Sequence, residues 1–410
     1  MALRAPFART TAGRGRPAAA GETPALLYHS PVTTPEPHRG RIPELDGIRG
    51  LAILLVLVWH YLVCEVGAPP PLFRFLNQTW SGVNLFFVLS GFLIGGILLD
   101  HREAPNYYRV FYIRRVCRIL PIYVVWLLLF YILRGPVSRL PLGTASGWLF
   151  ADPLPFWSYA TFTQNFLQGK YGVWGPNWLA VTWSLAVEEQ FYLLLPVIVR
   201  LMPPRRLPYL LAPFILLAPL LRFLFFDPSM AVDPSYVLLI CKADALLLGV
   251  FCAWLARRDG AAEKIRAKAP LLRILLLSCG GFVCLAAYVP ETATIRALND
   301  SLLAIGYASL ILLALYTPRS PFAWMARVRW LRALGLIAYG TYLIHQSVNG
   351  LAFGAVRGHW PYITKASDLF VILGALAVTI VAAMASWRWF EKPIVEFGRR
   401  WRYADRASSE

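Results

Sequence analysis

The sequence predicts an all-α, polytopic membrane protein with ten transmembrane helices and both termini in the cytoplasm. Of its 410 residues, 58% are hydrophobic and only 15% are charged, whereas a soluble globular domain has about 25% charged residues. Apolar stretches of about 20 residues, the length needed to cross a bilayer, recur along the chain. These features exclude a disordered chain, a collagen-like fibre and an ordinary water-soluble enzyme. The stretches lie at 45–64, 80–99, 116–133, 180–200, 207–226, 236–256, 271–290, 298–316, 333–355 and 368–390.

The basic residues predict the orientation of these spans. With the N-terminus inside, 29 of the 40 Lys and Arg residues fall on the cytoplasmic side, 7 outside and 4 within spans, as the positive-inside rule requires. The stretch 145–168 is also apolar, but it contains Asp152, Pro153 and Pro155, and counting it as an eleventh span would move the later basic loops outside. We therefore predict a long outer loop over 134–179, partly inserted. Topology thus explains the net charge of +18, and no nucleic-acid partner is predicted.

Two tails are expected to flank a membrane domain over 45–395. Residues 1–44 are rich in Arg and lack the apolar core of a secretory signal. They are therefore predicted to form a disordered basic tail, with an organelle transit peptide as the alternative. Residues 396–410 are expected to form a cytoplasmic tail. The six cysteines form no C-x-x-C pair, so they are interpreted as small buried hydrophobic residues, and no metal site is predicted.

The first span carries a cation and an imidazole on one face. Arg49 and His60 are eleven positions apart, which is close to three helical turns and places them ~16–17 Å apart along the axis. Asp46 lies one turn before Arg49, at the cytoplasmic end. A charged group in a span is costly and usually faces a polar cavity. The alternative is that Arg49 only reaches the headgroups and His60 hydrogen-bonds a backbone carbonyl.

The fourth span contains two adjacent carboxyl groups. Ser184, Glu188 and Tyr192 follow one another at four-residue spacing and predict a polar stripe. Glu189 points about 100° away from that stripe. A carboxylate such as that of Glu188 can hold a histidine in one tautomer, as in hydrolase triads. The alternative is a structural ion pair with Lys242 or Arg222.

Three arginines precede the third span within one turn, namely Arg114, Arg115 and Arg118. Such a cluster suits phosphate groups, which arginine binds through paired, charge-assisted hydrogen bonds. Contact with lipid headgroups is the alternative. Further polar or aromatic residues within spans are expected to support the site or shape its acceptor side: Asn84, Trp183, Ser184, Glu189, Arg222, Lys242, Asp244 and His345.

The motifs together resemble the membrane acyltransferase-3 family. They are LDGIRGLAILLVLVWH, FFVLSGFLI, YIRRVCRILPIY, WSLAVEEQFYLLLP, KADALLLG, YGTYLIHQ and FEKP, in the family's order over about 45–395. The resemblance implies ten spans with cytoplasmic ends and transfer of acyl groups, commonly acetyl from acetyl-CoA, to hydroxyls of polysaccharides, lipopolysaccharide, peptidoglycan or macrolides. It assigns the family's Arg and His to Arg49 and His60, and its Arg-x-x-Arg pair to Arg115 and Arg118. Its membrane Glu falls on Glu188 or Glu189, and Lys242 stands where many relatives carry Arg.

The resulting expectation is an O-acyltransferase of the bacterial inner membrane. Acyl-CoA is its co-substrate, no cofactor is permanently bound, and the acceptor is a carbohydrate, a glycolipid or a macrolide. His60 is expected to act as general base or transient acyl acceptor, with Glu188 orienting it. The alternative is a proton-coupled transporter or flippase that uses the buried His, Glu and Lys residues. No inverted repeat of broken spans is evident, which weakens that alternative.

Overall fold

The computed structural model describes residues 42–63, 71–151 and 154–404. Every regular element within these ranges is helical, which confirms the all-α prediction. Most of the predicted basic tail, residues 1–41, lies outside the described residues, as do residues 405–410 of the predicted second tail. Residues 396–404 are described and pack against the bundle, as shown below.

Eighteen α-helices follow one another in the described residues. The first nine are α1 (Pro43–Val58), α2 (Gly82–Asp100), α3 (Tyr107–Val137), α4 (Thr144–Phe150), α5 (Phe156–Ala160), α6 (Gln164–Tyr171), α7 (Trp183–Leu201), α8 (Leu207–Phe225) and α9 (Pro234–Val237). The others are α10 (Leu239–Leu255), α11 (Ala261–Ala267), α12 (Ala269–Ala286), α13 (Ala293–Tyr316), α14 (Pro321–Arg327), α15 (Arg329–Leu336), α16 (Ala338–Arg357), α17 (Asp368–Ser386) and α18 (Lys392–Arg399). Two π-helical turns, Trp59–Val63 and Trp387–Glu391, continue α1 and α17. Two 3₁₀ segments, Pro71–Ser81 and Ala180–Thr182, lead into α2 and α7.

Local sequence explains several of these boundaries. The Thr292 hydroxyl accepts from the backbone N–H of Ile295 and caps α13, and the Ser320 hydroxyl caps α14 in the same way. Such caps satisfy N–H groups that have no partner in the first turn. At the other end, α16 stops at Gly358, whose φ of 73° is left-handed. Glycine adopts that conformation at little cost.

Eight segments of the described chain are long and apolar enough to cross a membrane. They are Pro43–Val63, Arg74–Asp100, Tyr107–Val137, Leu207–Phe225, Pro234–Leu255, Ala269–Ala286, Ala293–Tyr316 and Asp368–Arg399. The other two predicted spans, 180–200 and 333–355, correspond to α7 and α16, which have 19 and 20 residues. Both helices are more polar than the eight, because α7 carries Glu188, Glu189 and Arg200 and α16 carries several polar residues. The chain is thus an integral membrane protein, and the count of ten stays a prediction.

The ambiguous stretch 145–168 does not form one long helix. It folds into α4, α5 and the start of α6, which have 7, 5 and 8 residues. None of these is long enough to span a bilayer alone, since about 20 residues are needed. Leu149, Phe150 and Tyr159 of this region are buried in an apolar cluster with α3. The segment therefore packs against the bundle as broken helices, as the prolines suggested.

Glycines allow α2 and α10 to touch closely at the centre of the bundle. A Cβ atom at Gly91 would lie 1.9 Å from the Leu246 carbonyl oxygen, and one at Gly249 would lie 2.1 Å from that of Val88. Only glycine fits at such a contact. Small residues at helix interfaces are the usual means of packing in membranes. Gly91 and Gly249 therefore form a packing face between α2 and α10.

Buried ion pairs connect α10 to α8 and α13. The Arg222 guanidinium of α8 donates to both carboxyl oxygens of Asp244, at 3.0 and 2.6 Å, and the Lys242 ammonium lies 2.5 Å from Asp300 of α13. All four side chains are at most 2% exposed. The Lys242 ammonium also lies 4.4 Å from the ring centre of Tyr236, a cation–π contact. These charges have complete sets of partners, so we assign them to the stability of the bundle.

Removing one member of a buried pair should destabilise the protein strongly. In Asp300→Asn the Lys242 ammonium loses its counter-ion in a dry environment, which costs about 3–5 kcal/mol. Unfolding of the detergent-purified protein should shift to lower temperature, and Lys242→Met combined with Asp300→Leu should recover most of the loss. The matched control is Asp100→Asn, because Asp100 pairs with Arg257 but is 49% exposed, and exposed pairs contribute about 1 kcal/mol or less. An Asp300→Asn protein as stable as the control would contradict this assignment.

Candidate active site

Three cavities follow the first helix from its first turn to its last. The arginine-end cavity has a volume of about 330 Å³ and is lined by Asp46, Arg49, Arg114, Arg115, Arg118, Arg399 and Tyr403, among others. The middle cavity, of about 130 Å³, is lined by Ser90, Ser184, Glu188, Tyr192 and mainly apolar side chains. The tryptophan-end cavity, of about 660 Å³, is lined by Trp59, Trp80, Trp148, Trp174, Trp183 and Trp360 together with His60.

Neighbouring cavities share lining residues. Arg49, Arg115 and Arg118 line both the arginine-end cavity and the middle cavity. Val83 and Tyr342 line both the middle cavity and the tryptophan-end cavity. The three cavities therefore form a series. Arg49 lines the arginine-end and middle cavities, whereas His60, eleven positions further along the first span, lines the tryptophan-end cavity.

His60 lies in the tryptophan-end cavity on the π-helical turn that follows α1. Its Nδ1 atom is 3.0 Å from the Val56 carbonyl oxygen. A carbonyl oxygen can only accept, so Nδ1 carries the proton and, in the neutral ring, Nε2 carries the lone pair. The expected contact of Glu188 with His60 is not among the hydrogen bonds of the described residues. The Val56 carbonyl, four residues earlier, orients the ring instead.

A second imidazole lies beside the first. The ring centres of His60 and His345 are 4.7 Å apart, with the planes at 69°. His345 is fully buried, and its Nδ1 donates to the Tyr342 carbonyl at 2.7 Å. Its Nε2 has no hydrogen-bond partner within the described residues. The sequence predicted His345 as a supporting residue but did not pair it with His60.

Glu188 lies in the middle cavity, in a chain of hydroxyl groups. The Tyr192 hydroxyl donates to the Glu188 carboxyl group at 3.3 Å, and the Ser90 hydroxyl is 2.5 Å from that of Tyr192. Because Tyr192 has one proton and gives it to Glu188, the Ser90 hydroxyl donates to Tyr192. Ser184, the third member of the predicted stripe, lines the same cavity and bonds the Tyr342 hydroxyl at 2.7 Å.

Glu189 points elsewhere, as its position one residue further along the helix predicts. It lines none of the three cavities. Its Oε1 atom is buried and has no hydrogen-bond partner in the described part of the chain. The two adjacent carboxyl groups therefore have different surroundings, and only that of Glu188 faces the cavity series.

The three predicted phosphate-binding arginines differ in their partners. Arg114 donates twice to the Trp401 carbonyl, at 2.9 and 2.7 Å. Neither Arg115 nor Arg118 makes a hydrogen bond or an ion pair with the residues that the structure describes, and both line two cavities. Arg49 pairs with Asp46 at 3.1 Å. Arg115 and Arg118 are thus the cations in this group that are most available to a ligand.

Four of the predicted supporting residues lie in the buried ion-pair clusters. Arg222, Lys242 and Asp244 form the pairs described above, and the Asn84 side-chain amide donates to Asp300 at 3.1 Å. Asn84 thus supports Asp300 rather than the acceptor entrance, where the sequence placed it. Asp300 itself was missed, although an acidic residue at the start of an apolar stretch was a usable signal.

The tryptophan-end cavity combines indole rings with polar groups at its rim. Of the aromatics in the predicted outer loop, Trp148 and Trp174 line this cavity, whereas the ring of Trp178 stacks on that of Trp126 with centres 4.8 Å apart. Asp227 also lines the cavity, and its pKa is lowered because its carboxyl group accepts hydrogen bonds from the Ser229 hydroxyl and backbone N–H. The cavity is suited to a ligand with apolar faces and hydroxyl groups.

Comparison with known proteins identifies the family. The acyltransferase-3 family, described as an acyltransferase domain, matches residues 42–388. The chain is 27% identical to the "Peptidoglycan O-acetyltransferase OatA" of Listeria monocytogenes over 88% of its own length and 57% of that protein. It is 27% identical to the "Putative peptidoglycan O-acetyltransferase YrhL" of Bacillus subtilis, over 88% of its own length and 56% of the relative.

A "Putative O-acetyltransferase" of Staphylococcus aureus is 26% identical over 87% of this chain and 58% of the relative. The chain therefore spans a little more than half the length of these curated relatives. No solved structure matches the chain. Since the family match covers most of the sequence and includes Arg49, His60, the Arg115–Arg118 pair and both glutamates, this protein belongs to the acyltransferase-3 family.

Proposed function

We propose that this protein is a membrane O-acyltransferase that moves an acyl group, in particular acetyl, from cytoplasmic acyl-CoA to a hydroxyl of a carbohydrate acceptor at the outer face. The observation that carries the proposal is the series of three cavities, in which Arg115 and Arg118, without a partner among the described residues, line one end and His60 lines the other. Peptidoglycan is named for two relatives, which supports a glycan acceptor. The tail boundaries and ten spans with both termini inside are part of the same proposal.

The cavity series suits a long donor that enters at the arginine end. Arg115 and Arg118 bind its phosphates through charge-assisted hydrogen bonds. The thin pantetheine arm passes through the middle cavity, where Glu188 and Ser90 offer partners for its amide groups. The thioester then reaches the boundary formed by Val83 and Tyr342, beyond which the tryptophan-end cavity holds the acceptor. Indole rings there stack on the apolar faces of sugar rings.

His60 performs the proton transfer in this proposal. Its Nε2 lone pair takes the proton of the acceptor hydroxyl, whose oxygen attacks the thioester carbonyl carbon. The carbon–sulfur bond breaks, and the thiolate leaves as a thiol with the proton from His60. An acyl-histidine intermediate would use the same nitrogen. The competing idea of a proton-coupled transporter gains no support from Lys242, because its partner is Asp300 rather than a member of the cavity series.

Replacing His60 should abolish transfer. His60→Ala removes the general base, which contributes about 10²–10⁴-fold to the rate, while insertion and expression should stay near normal. Acetyl-CoA-dependent labelling of glycan in isolated membranes measures the effect. His359→Ala is the matched control, because His359 is half-buried and lines none of the three cavities. Normal transfer by His60→Ala would show that His60 has no part in the mechanism. Transfer by the wild-type protein without consumption of the acetyl-CoA thioester would contradict the proposed function.

Substitutions of the two adjacent glutamates should have different effects on kcat in the same assay. Glu188→Gln should lower kcat by about tenfold or more, because the carboxyl group faces the donor route, whereas Glu189→Gln should stay within about twofold. Both substitutions remove the same charge from neighbouring positions of α7, so each controls for the other. A larger loss for Glu189→Gln would contradict the assigned role of Glu188.

The proposed topology can be tested by cysteine labelling in intact cells. A membrane-impermeant thiol reagent should label Trp157→Cys and Met230→Cys, whose parent side chains are exposed, without permeabilisation. Glu263→Cys, in the basic segment before α12, should be labelled only after permeabilisation. Cys284, an exposed native cysteine, is replaced by Ser throughout. Labelling at position 263 from outside would overturn the ten-span topology and the cytoplasmic donor.

A further inference from the structure

The segment after α18 is fixed against the bundle beside the arginine-end cavity, which Tyr403 lines. The Arg114 guanidinium donates twice to the Trp401 carbonyl oxygen, and the Arg109 guanidinium lies 4.6 Å from the Trp401 ring centre. The Tyr403 ring stacks on His101, with ring centres 3.9 Å apart and planes at 26°. The segment that the sequence predicts to be part of a tail is therefore held in place by residues of α3 and of the turn before it.

The Asn106 side chain also hydrogen-bonds the backbone of the same segment. Its side-chain amide donates to the Arg402 carbonyl at 2.9 Å and accepts from the Ala404 N–H at 3.0 Å. This two-bond arrangement sets the register of the segment, because neighbouring backbone groups are bound by one side chain. As a result, Arg399 and Tyr403 line the cavity, whereas Arg400 and Arg402 do not.

The charge of the arginine-end cavity matches three phosphate groups. Five arginines and a single carboxyl group, that of Asp46, line it, a formal charge of +4. The nucleotide end of CoA carries a diphosphate and a 3′-phosphate, about four negative charges near neutral pH. Pantetheine carried on a protein has one phosphate, and dephospho-CoA has two. The full nucleotide end therefore matches the cavity best.

The lining residues also give an order along the cavity. Arg115 and Arg118 line the middle cavity too, so they lie at the inner end, whereas Arg399 and Tyr403 line only the arginine-end cavity. In CoA the diphosphate is attached to the pantetheine arm, and the 3′-phosphate lies farther out on the ribose. On the basis of the proposed function, we infer that Arg399 and Tyr403 bind the 3′-phosphate, while Arg115 and Arg118 bind the diphosphate.

The Tyr403 hydroxyl is available to donate a hydrogen bond to the 3′-phosphate. Its hydroxyl oxygen is buried and has no hydrogen-bond partner within the described residues. Burial raises the pKa of this hydroxyl, so it keeps its proton and can donate to a phosphate oxygen. Arg399 is exposed and makes no ion pair or hydrogen bond through its side chain with any described residue. Both groups gain a partner when a phosphate occupies the mouth of the cavity.

Equilibrium binding of two non-reactive ligands tests the inference without turnover. Affinities of CoA and dephospho-CoA are measured by calorimetry on the full-length protein in detergent. Wild type should bind CoA more tightly. Arg399→Ala should weaken CoA binding about tenfold, the scale of one charge-assisted contact, and leave dephospho-CoA binding unchanged. Tyr403→Phe should act in the same direction but less, and Arg118→Ala should weaken both ligands.

The matched control is Arg400→Ala, which makes the same charge change one residue away and should alter neither affinity. Equal CoA affinities for Arg399→Ala and Arg400→Ala would overturn the inference, even if the protein transfers acyl groups. Arg399→Ala could instead keep the wild-type ratio of CoA affinity to dephospho-CoA affinity and bind anionic nanodiscs more weakly. That result would assign Arg399 to lipid headgroups and would also overturn the inference. Failure of wild type to bind either ligand would overturn both the inference and the proposed donor.

Discussion

A charged side chain inside an apolar helix bundle must find a partner within the protein, because the bilayer offers no water to solvate it. In this protein Arg222, Asp244, Lys242 and Asp300 satisfy that constraint with one another and connect α8, α10 and α13. Removing any one would leave a buried charge alone. These pairs hold α8, α10 and α13 together, and α10 in turn packs closely against α2, which lines the middle cavity.

The same constraint separates structural polar groups from candidate functional ones. Groups with complete partner sets, such as Arg222, belong to the framework. Three groups that lack a partner in the described chain, Arg115, Arg118 and the Nε2 atom of His345, lie at or next to the three cavities, whereas the unpartnered Oε1 atom of Glu189 does not. An unsatisfied buried polar group costs free energy, so its presence beside a cavity is most readily explained by a ligand that supplies the missing partner.

The two ends of the cavity series call for different ligands. At one end, arginines outnumber carboxyl groups, which suits a polyphosphate. At the other end, six tryptophan residues line the cavity together with His60, which suits a ligand with apolar faces and hydroxyl groups. Between them the middle cavity is narrow and mostly apolar, and it suits a thin, flexible arm better than a bulky group. A donor and an acceptor that approach from opposite faces would meet next to His60.

Periodicity and composition were sufficient for much of this protein. Most of the apolar stretches predicted the long helices within about five residues, although α3 begins nine residues before its stretch. The four-residue spacing placed Ser184, Glu188 and Tyr192 together, and the prolines indicated that 145–168 is not one helix. These features depend on residues that are near one another in the chain. Other contacts join residues far apart in sequence: those of His60 with His345, of Lys242 with Asp300, and of Tyr403 with the arginine-end cavity. Only the packing of the helices decides such contacts, because local spacing fixes the direction of a side chain on its own helix but not which helix lies opposite.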